Sequence, residues 1–173
     1  AWVTNLSGNY NASEHSYVES PCFNLSSLTK PVVEMKVWWN SEFSYDGAVL
    51  MSSIDNGVTW QKVGAYGDPN NWYNDNNINS GPGGQPGSTA EGWTGHTTTG
   101  NGSNGWVTAK HVLTGLAGQA NVKLRIEFGS DNAYHFEGFA FDSFTIYESP
   151  ANNAGITSIT SPISPVAPVV SQP

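Results

Sequence analysis

The sequence predicts an all-β protein: a two-sheet antiparallel sandwich of the jelly-roll type, with one long irregular loop and a Pro-rich C-terminal tail. Helix signals are almost absent, and the ordered-looking runs are rich in Val, Thr, Phe, Tyr and Trp. Clusters of Gly, Asn, Asp, Ser and Pro separate these runs, as turns separate strands. Seven or eight such runs at this spacing favour a sandwich or jelly roll.

The strands are predicted in order along the chain from alternating apolar residues between turn signals. Short edge strands are expected at 2–3, 16–19 and 22–23, and longer strands at 32–40, 48–54, 58–63, 105–113, 121–128 and 138–147. In 32–40, alternation places Val33, Met35 and Val37 on one face. In 138–147, the same rule separates Phe139 and Phe141 from Asp142 and Phe144.

A stretch of about 40 residues between Tyr66 and Gly105 has no convincing strand pattern. Irregular segments of this length are either functional or disordered. Its aromatic residues, Trp72, Tyr73 and Trp93, need something to pack on, which argues against disorder. We therefore expect an ordered excursion over one face or rim of the sandwich.

The predicted domain covers residues 1–148, and the chain changes character after it. Residues 149–173 are rich in Pro and Ser with spaced Ile and Val, which is typical of a linker or a docking tail. We expect residues 151–173 to dock on their own domain or on a neighbouring module or subunit. If their edges pair with another subunit, the contact is β-strand addition.

Composition narrows the range of functions. The net charge is −8 and the six basic residues are scattered, so binding of nucleic acid is not expected. No apolar run approaches the ~18 residues that a membrane helix needs, so membrane insertion is not expected. Only 12% of residues are charged, and surface polarity must come from Asn, Ser, Thr and Gly, which favours an extracellular or cell-surface protein. The single Cys22 excludes an internal disulfide and is predicted to be a buried thiol.

The segment SSIDNGVTW at 52–60 matches the Asp-box pattern S-x-D-x-G-x-T-W, which recurs in sialidases and other β-propellers. A propeller repeats its motif around a ring, whereas this chain has one copy. We therefore interpret it as a hairpin turn, in which Asp55 binds turn amides, Gly57 supplies a positive φ and Trp60 packs beneath. Glycoside hydrolysis needs two carboxyls across a cleft, and the acids here fall mostly at turns and strand ends, so no catalysis is expected.

Several pieces of the sequence together resemble a known group of modules. They are a Trp near the start, SPCFNLSSL before the first long strand, DGAVLMSSIDNGVTW, and a final GFAFD. Over residues 1–148 this combination is similar to the MAM-like and cleaved-adhesin-like jelly-roll modules of large secreted or surface proteins, especially in bacteria with type IX secretion. The resemblance implies a non-catalytic module for adhesion, ligand binding or assembly. Alternatives are a carbohydrate-binding module attached to a secreted enzyme, and an accessory domain of a secreted protease.

Carboxylates near strand ends form the main predicted site. A buried charge is costly unless it is paired or bound to a metal, and calcium takes six to eight oxygen ligands. Modules of the type resembled often hold a structural Ca²⁺ where early and late strands meet, which would use Asp46 and Asp142. Glu42 and Glu19 are predicted as further ligands. The alternative is that Asp142 accepts backbone N–H bonds and Asp46 caps a turn. A second cation candidate pairs Asp68 with Asp75 in the long loop.

Aromatic residues suggest a second kind of site. A platform for sugar rings, flanked by Asn, Asp and Gln, could be formed by Trp72, Tyr73, Trp93, Trp38 and Tyr66. The alternative is that Trp72 and Trp93 anchor the long loop. Trp60 and Trp106 are expected in the core.

Overall fold

Two four-stranded antiparallel sheets pack face to face in the computed structural model, which describes residues 1–150. The strands are β1 (Trp2–Val3), β2 (His15–Glu19), β3 (Pro31–Asn40), β4 (Gly47–Ser53), β5 (Gln61–Lys62), β6 (Asp75–Ile78), β7 (Ala90–Gly92), β8 (Val107–Val112), β9 (Lys123–Gly129) and β10 (Gly138–Glu148). The predicted all-β sandwich is confirmed. Residues 151–173, and with them the predicted docking tail, lie outside the described residues.

The first sheet has the strand order β1-β10-β3-β8, and the second has the order β2-β9-β4-β5. Strands β6 and β7 form a separate two-stranded ladder. Two single turns of 3₁₀ helix, at Pro82–Gly84 and Thr97–Thr99, are the helical elements of the described residues. Within residues 1–150, no helix is long and apolar enough to cross a membrane.

The core lies between the two sheets and follows the predicted alternation of β3. Val33, Met35 and Val37 are buried, whereas Lys36 between them is exposed. They pack in one cluster with residues of the second sheet, including Leu50, Val49, Leu124, Ile126 and Phe128. Each such side chain contributes about 1.5–3 kcal/mol by leaving water, so this alternation is enough to fix the faces of the sheet.

Strand β10 departs from strict alternation at a β-bulge between Asp142 and Thr145, where Ser143 has a φ of 51°. Before the bulge, Phe139 and Phe141 contact the core; after it, Phe144 and Ile146 do. The prediction that Phe144 lies on the face opposite to Phe141 is therefore wrong. One extra residue in the bulge returns the apolar side chains to the core face.

The long segment between Tyr66 and Gly105 is ordered and lies against the second sheet. It contains the β6–β7 ladder, which the sequence did not predict, and Trp93 bridges to Ala48 of β4 through two backbone hydrogen bonds of 2.8 and 2.9 Å. At Gly83, whose φ is 74°, an added Cβ would lie 2.7 Å from the Met51 sulfur. Only glycine allows this close approach of the segment to β4.

The Asp box forms the turn that joins β4 to β5. The Asp55 carboxylate accepts hydrogen bonds from the Thr59 amide at 2.9 and 3.1 Å, and Gly57 has a φ of 91°. Trp60 donates its indole N–H to the Gly57 carbonyl at 3.0 Å and is half-buried beneath the turn.

Cys22 is exposed, so the prediction of a buried thiol is wrong.

Candidate metal centre

Three carboxylates meet at one end of the sandwich: Glu42, Asp46 and Asp131. One oxygen from each lies within 4.8 Å of the others. Glu42 and Asp46 belong to the β3–β4 connection, and Asp131 follows β9. Because Gly47 pairs with Gly129, the start of β4 lies beside the end of β9, and the two loops meet there.

The β3–β4 connection is held in a tight turn that aims both of its carboxylates at the same point. The Asp46 amide donates to the Glu42 carbonyl at 3.0 Å. The buried Thr94 hydroxyl, from the long segment, lies 2.6 Å from the Asp46 carbonyl and 3.1 Å from that of Glu42. The long segment therefore helps to shape this turn as well as covering β4.

Asp46 is fully buried and has one donor on each carboxylate oxygen. The Tyr10 hydroxyl donates to Oδ2 at 2.7 Å, and the Asp131 amide donates to Oδ1 at 2.7 Å. Burial raises the pKa of Asp46 to about 6, although the two donors act in the opposite direction. Burial and the neighbouring Asp46 also raise the pKa of Tyr10, which keeps its hydroxyl proton available for donation.

Glu42 carries the strongest sign of an unsatisfied site. Its Oε2 atom is buried and has no hydrogen-bond partner within the described structure. Burial, followed by repulsion from Asp131 and Asp46, raises the pKa of Glu42 to about 7. The ion pairs of residues 1–150 involve none of these three carboxylates. A buried, unpaired carboxylate of this kind is costly unless a cation or a proton neutralises it.

The donor set fits a hard divalent cation. Calcium takes six to eight oxygens and accepts carboxylates in one- or two-oxygen modes, so the three carboxylates can supply at least three of its ligands. A transition metal is a poorer match, because imidazole and thiolate ligands are its usual partners and the cluster contains only carboxylates. The residues present therefore fit Ca²⁺.

Only two of the four predicted ligands belong to this cluster. Glu42 and Asp46 do, but Asp142 is exposed on the outer face of β10, where it pairs with the N-terminal amine at 3.1 Å and accepts the Ser143 amide at 2.6 Å. Glu19 pairs with Lys123 at 2.7 Å. The structure therefore gives Asp142 and Glu19 other partners, and the prediction that all four carboxylates converge is wrong.

Asp131 is the member of the cluster that the sequence did not predict. It follows β9 in GSDN, a turn segment of the kind that often carries ligands. The available signal was that Asp131 lies just after one predicted strand and Asp46 just before another. Recognising it required knowledge that β4 and β9 are neighbours, which strand order alone decides.

The second predicted cation pair is not formed as a pair. Asp68 accepts the Ala65 amide at 2.7 Å and lies 2.8 Å from His111 Nε2. Asp75 accepts the Ser44 hydroxyl at 2.7 Å. Separate partners therefore account for both carboxylates.

The predicted sugar platform is wrong for its three central residues. Trp72, Tyr73 and Trp93 are buried, with ring centroids 4.8–5.3 Å apart. The Tyr73 hydroxyl lies 3.1 Å from both the amide and the carbonyl of Leu50. These rings anchor the long segment to the sandwich, which was the stated alternative.

The remaining aromatic candidates lie at the surface. Tyr66 is half exposed, and Trp38 is half-buried on the outer face of β3, beside Ala140 of β10. Trp106, expected in the core, is 50% exposed. It directly precedes Val107, which pairs with Val37, the residue before Trp38.

Comparison with known proteins adds no assignment: no protein-family model matches the chain, and no curated protein matches it significantly.

Proposed function

We propose that this chain is a non-catalytic, calcium-stabilised β-sandwich module of the MAM-like or cleaved-adhesin-like type. In this proposal it serves adhesion or assembly within a larger extracellular or cell-surface protein. The observation that carries the proposal is the cluster of Glu42, Asp46 and Asp131, in which Oε2 of Glu42 is buried and has no hydrogen-bond partner among the described residues.

A structural role for the cation is supported by what the cluster connects. The β3–β4 and β9–β10 connections contribute the carboxylates, and the N-terminal segment contributes Tyr10. A cation there would tie three loop segments at one end of the sandwich. Binding to the folded state alone would add stability in proportion to the logarithm of the calcium concentration.

The same geometry argues against a pair of catalytic carboxyls. Glycosidases separate their two carboxyls by roughly 5–9.5 Å, with the substrate between them. In the cluster, one oxygen from each carboxylate lies within 4.8 Å of the others, and Asp46 is inaccessible to solvent, which leaves no room for a substrate beside it. A bound cation accounts for such close carboxylates better than a substrate does.

Metal analysis and thermal melting test this proposal directly. We expect about one Ca²⁺ per chain, and at ~100 times the dissociation constant a stabilisation of about 2.7 kcal/mol, roughly 5–10 °C in melting temperature. EGTA should remove the shift. Asp131→Asn should abolish the calcium response, whereas the matched control Asp142→Asn should keep it, because Asp142 lies outside the cluster.

Two outcomes would overturn the cation proposal. A metal-free protein whose melting temperature is the same in calcium and in EGTA would remove it altogether. A calcium response lost in Asp142→Asn but kept in Asp131→Asn would place the site elsewhere.

A carbohydrate-binding module attached to a secreted enzyme is the second candidate function. The observation that favours it is two Trp residues near the outer face of the first sheet: Trp38 lies on that face of β3, and Trp106, 50% exposed, directly precedes the neighbouring strand β8. Exposed indole rings on a flat sheet face can stack on the apolar faces of sugars. On the same face, Glu34 of β3 and Lys110 of β8 form an ion pair at 3.9 Å, so their charges balance each other. This favours a neutral polysaccharide over a charged one.

A further inference from the structure

We propose that residues 151–173 of this chain dock on their own domain, in an apolar groove along the open side of the sandwich. The groove, called here the β1–β2 groove, is lined by Trp2, Val18, Phe23, Ile126, Phe141 and Phe144. The proposal rests on this surface and on the position of the chain end, and it is independent of the cation site.

The β1–β2 groove is a gap in the cover of the core. Two adjoining cavities of about 220 and 210 Å³ open along it. Trp2 is 61% exposed at its rim, and Phe141 and Phe144 are only half-buried although they contact the core cluster. An apolar opening of this kind is a common binding surface.

The gap exists because β1 is too short for its neighbour. β1 pairs only with Ala140 and Phe141, so among residues 1–150 the stretch 142–148 of β10 has no strand on that side. An exposed strand edge presents unpaired amides and carbonyls, and it is a template for an added strand.

The chain itself supplies a suitable occupant at this place. The described residues end at Pro150, two residues after β10 and six after Phe144, whose ring stacks on Phe23 at 6.4 Å. Residues 151–173 contain no charged residue and carry Ile156, Ile159 and Ile163. An uncharged, Ile-containing segment is compatible with an apolar groove, whereas Asp, Glu, Lys or Arg would have to be desolvated there.

Length and proline content are also compatible with docking. Covering positions 142–148 requires seven residues, or roughly 23 Å at ~3.3 Å per residue, and 23 residues follow Pro150. Pro162, Pro165 and Pro168 lack amide donors, which restricts them to edge positions of a sheet. A strand added to β10 would be such an edge.

The single cysteine allows a test in the full 173-residue chain without a new labelling site. Cys22 is exposed between Pro21 and Phe23, which line the groove, and its sulfur faces Asn121 at 3.7 Å. A nitroxide spin label on Cys22 should broaden the amide NMR signals of a continuous stretch within 151–173. In the triple variant Ile156→Ser, Ile159→Ser, Ile163→Ser, this loss of intensity should disappear.

A matched control removes three apolar residues of similar size elsewhere. Leu6, Ile54 and Val58 are exposed in the folded domain, and their replacement by Ser should leave the broadening unchanged. No broadening of any signal from 151–173 in the labelled wild type would overturn the proposal. In a mixture of spin-labelled and isotope-labelled chains, broadening would show that the segment of a second copy fills the groove, which would overturn docking within one chain.

Discussion

Glu42 is the residue at which burial, repulsion and missing partners coincide. Its pKa is raised to about 7, chiefly by burial and then by Asp131 and Asp46, while its Oε2 has no partner. Without a cation, Glu42 of the folded state therefore keeps its proton up to about pH 7. With a cation bound, the same carboxylate becomes a ligand, so protons and calcium should compete for the site.

This competition predicts an unusual pH dependence for the calcium-free protein. Around and below pH 4.5, the ordinary value of Glu42, both folded and unfolded states hold the proton, so Glu42 has no effect on stability. As the pH rises towards 7, the unfolded chain releases the proton more readily than the folded one. The free energy of unfolding should therefore fall across this range, by an amount on the order of 1–3 kcal/mol, and level off above it.

Denaturant unfolding of wild type and Glu42→Gln between pH 4.5 and 8, in EGTA, measures the effect. The variant should show a smaller fall than wild type, since Asp46, whose pKa is about 6, still contributes to it. It should be the more stable protein above pH 7, although it should no longer respond to calcium. Asp55 does not obscure the measurement, because hydrogen bonds from Thr59 lower its pKa to about 2, below the range used. Parallel pH profiles for the two proteins would contradict the prediction.

Local sequence was enough to predict two of the three clustered carboxylates, Glu42 and Asp46, but not Asp131. Glu42 and Asp46 stand together in NSEFSYDG before a strand, and local sequence is enough to suggest a shared turn. Asp131 is 85 residues from Asp46, so its contribution depends on strand pairing. The prediction for Asp142 failed because a carboxylate in an aromatic-rich strand suggests burial. In the structure, β10 exposes Asp142 on its outer face.

At the element scale, β10 shows how one residue changes the faces of a strand. Ser143 occupies the left-handed region, with a φ of 51°, and the register shifts between Asp142 and Thr145. Without the bulge, Phe144 and Ile146 would point to solvent. The bulge therefore keeps four apolar side chains, Phe139, Phe141, Phe144 and Ile146, against the core.

Substitutions at Ser143 should reveal the strain of this bulge. Ser143→Val should destabilise the protein by about 1–2 kcal/mol, because a β-branched side chain is unfavourable at positive φ. Ser143→Gly should be neutral or slightly stabilising, since glycine adopts this conformation freely. Thermal or denaturant unfolding of both variants gives the comparison, and a Val variant as stable as the Gly variant would argue against the bulge.

The Asp-box hairpin and the long segment differ in how far sequence alone could predict them. The hairpin depends on contacts within nine residues, from the Ser53 hydroxyl to the Trp60 indole, and its motif identifies them. The β6–β7 ladder depends on a segment that packs on β4 through Trp93 and Gly83. Its Asn- and Gly-rich sequence has no alternation that would reveal strands.

At the scale of the whole molecule, two Trp residues with similar neighbours in the sequence lie in opposite environments. Trp93 is fully buried and packs among Trp72, Tyr73 and Phe139, joining the long segment to the core. Trp106 is 50% exposed and directly precedes β8. Nothing in the local sequence distinguishes these environments, because both residues follow a glycine and precede a Thr or Val.

Alanine substitutions should distinguish the buried Trp93 from the exposed Trp106. Trp93→Ala should lower the free energy of unfolding by about 3–5 kcal/mol, the usual cost of removing a large core aromatic. Trp106→Ala should change stability little, within about 0.5 kcal/mol, as expected for a surface position. If the outer face of the first sheet binds neutral polysaccharide, Trp106→Ala should also abolish the binding.

Affinity electrophoresis in gels containing xylan, galactomannan or hydroxyethyl cellulose tests the binding. Wild type should be retarded in at least one of these gels, Trp106→Ala should migrate freely, and Trp2→Ala, which changes an exposed Trp on the other side of the first sheet, should behave like wild type. Unretarded wild type in every gel would remove the carbohydrate candidate and leave the cation-stabilised module as the proposal.

The sequence by itself determined the fold class, the main strands of the two sheets, the Asp-box turn and two of the three clustered carboxylates. These features depend on periodicity and short-range hydrogen bonds, which neighbouring residues encode. Tertiary structure alone decided the pairing of β4 with β9, and thereby the place of Asp131 beside Asp46. It also decided which Trp residues are buried and which strand edge has no neighbouring strand within residues 1–150, because contacts between residues far apart in the chain set burial and pairing.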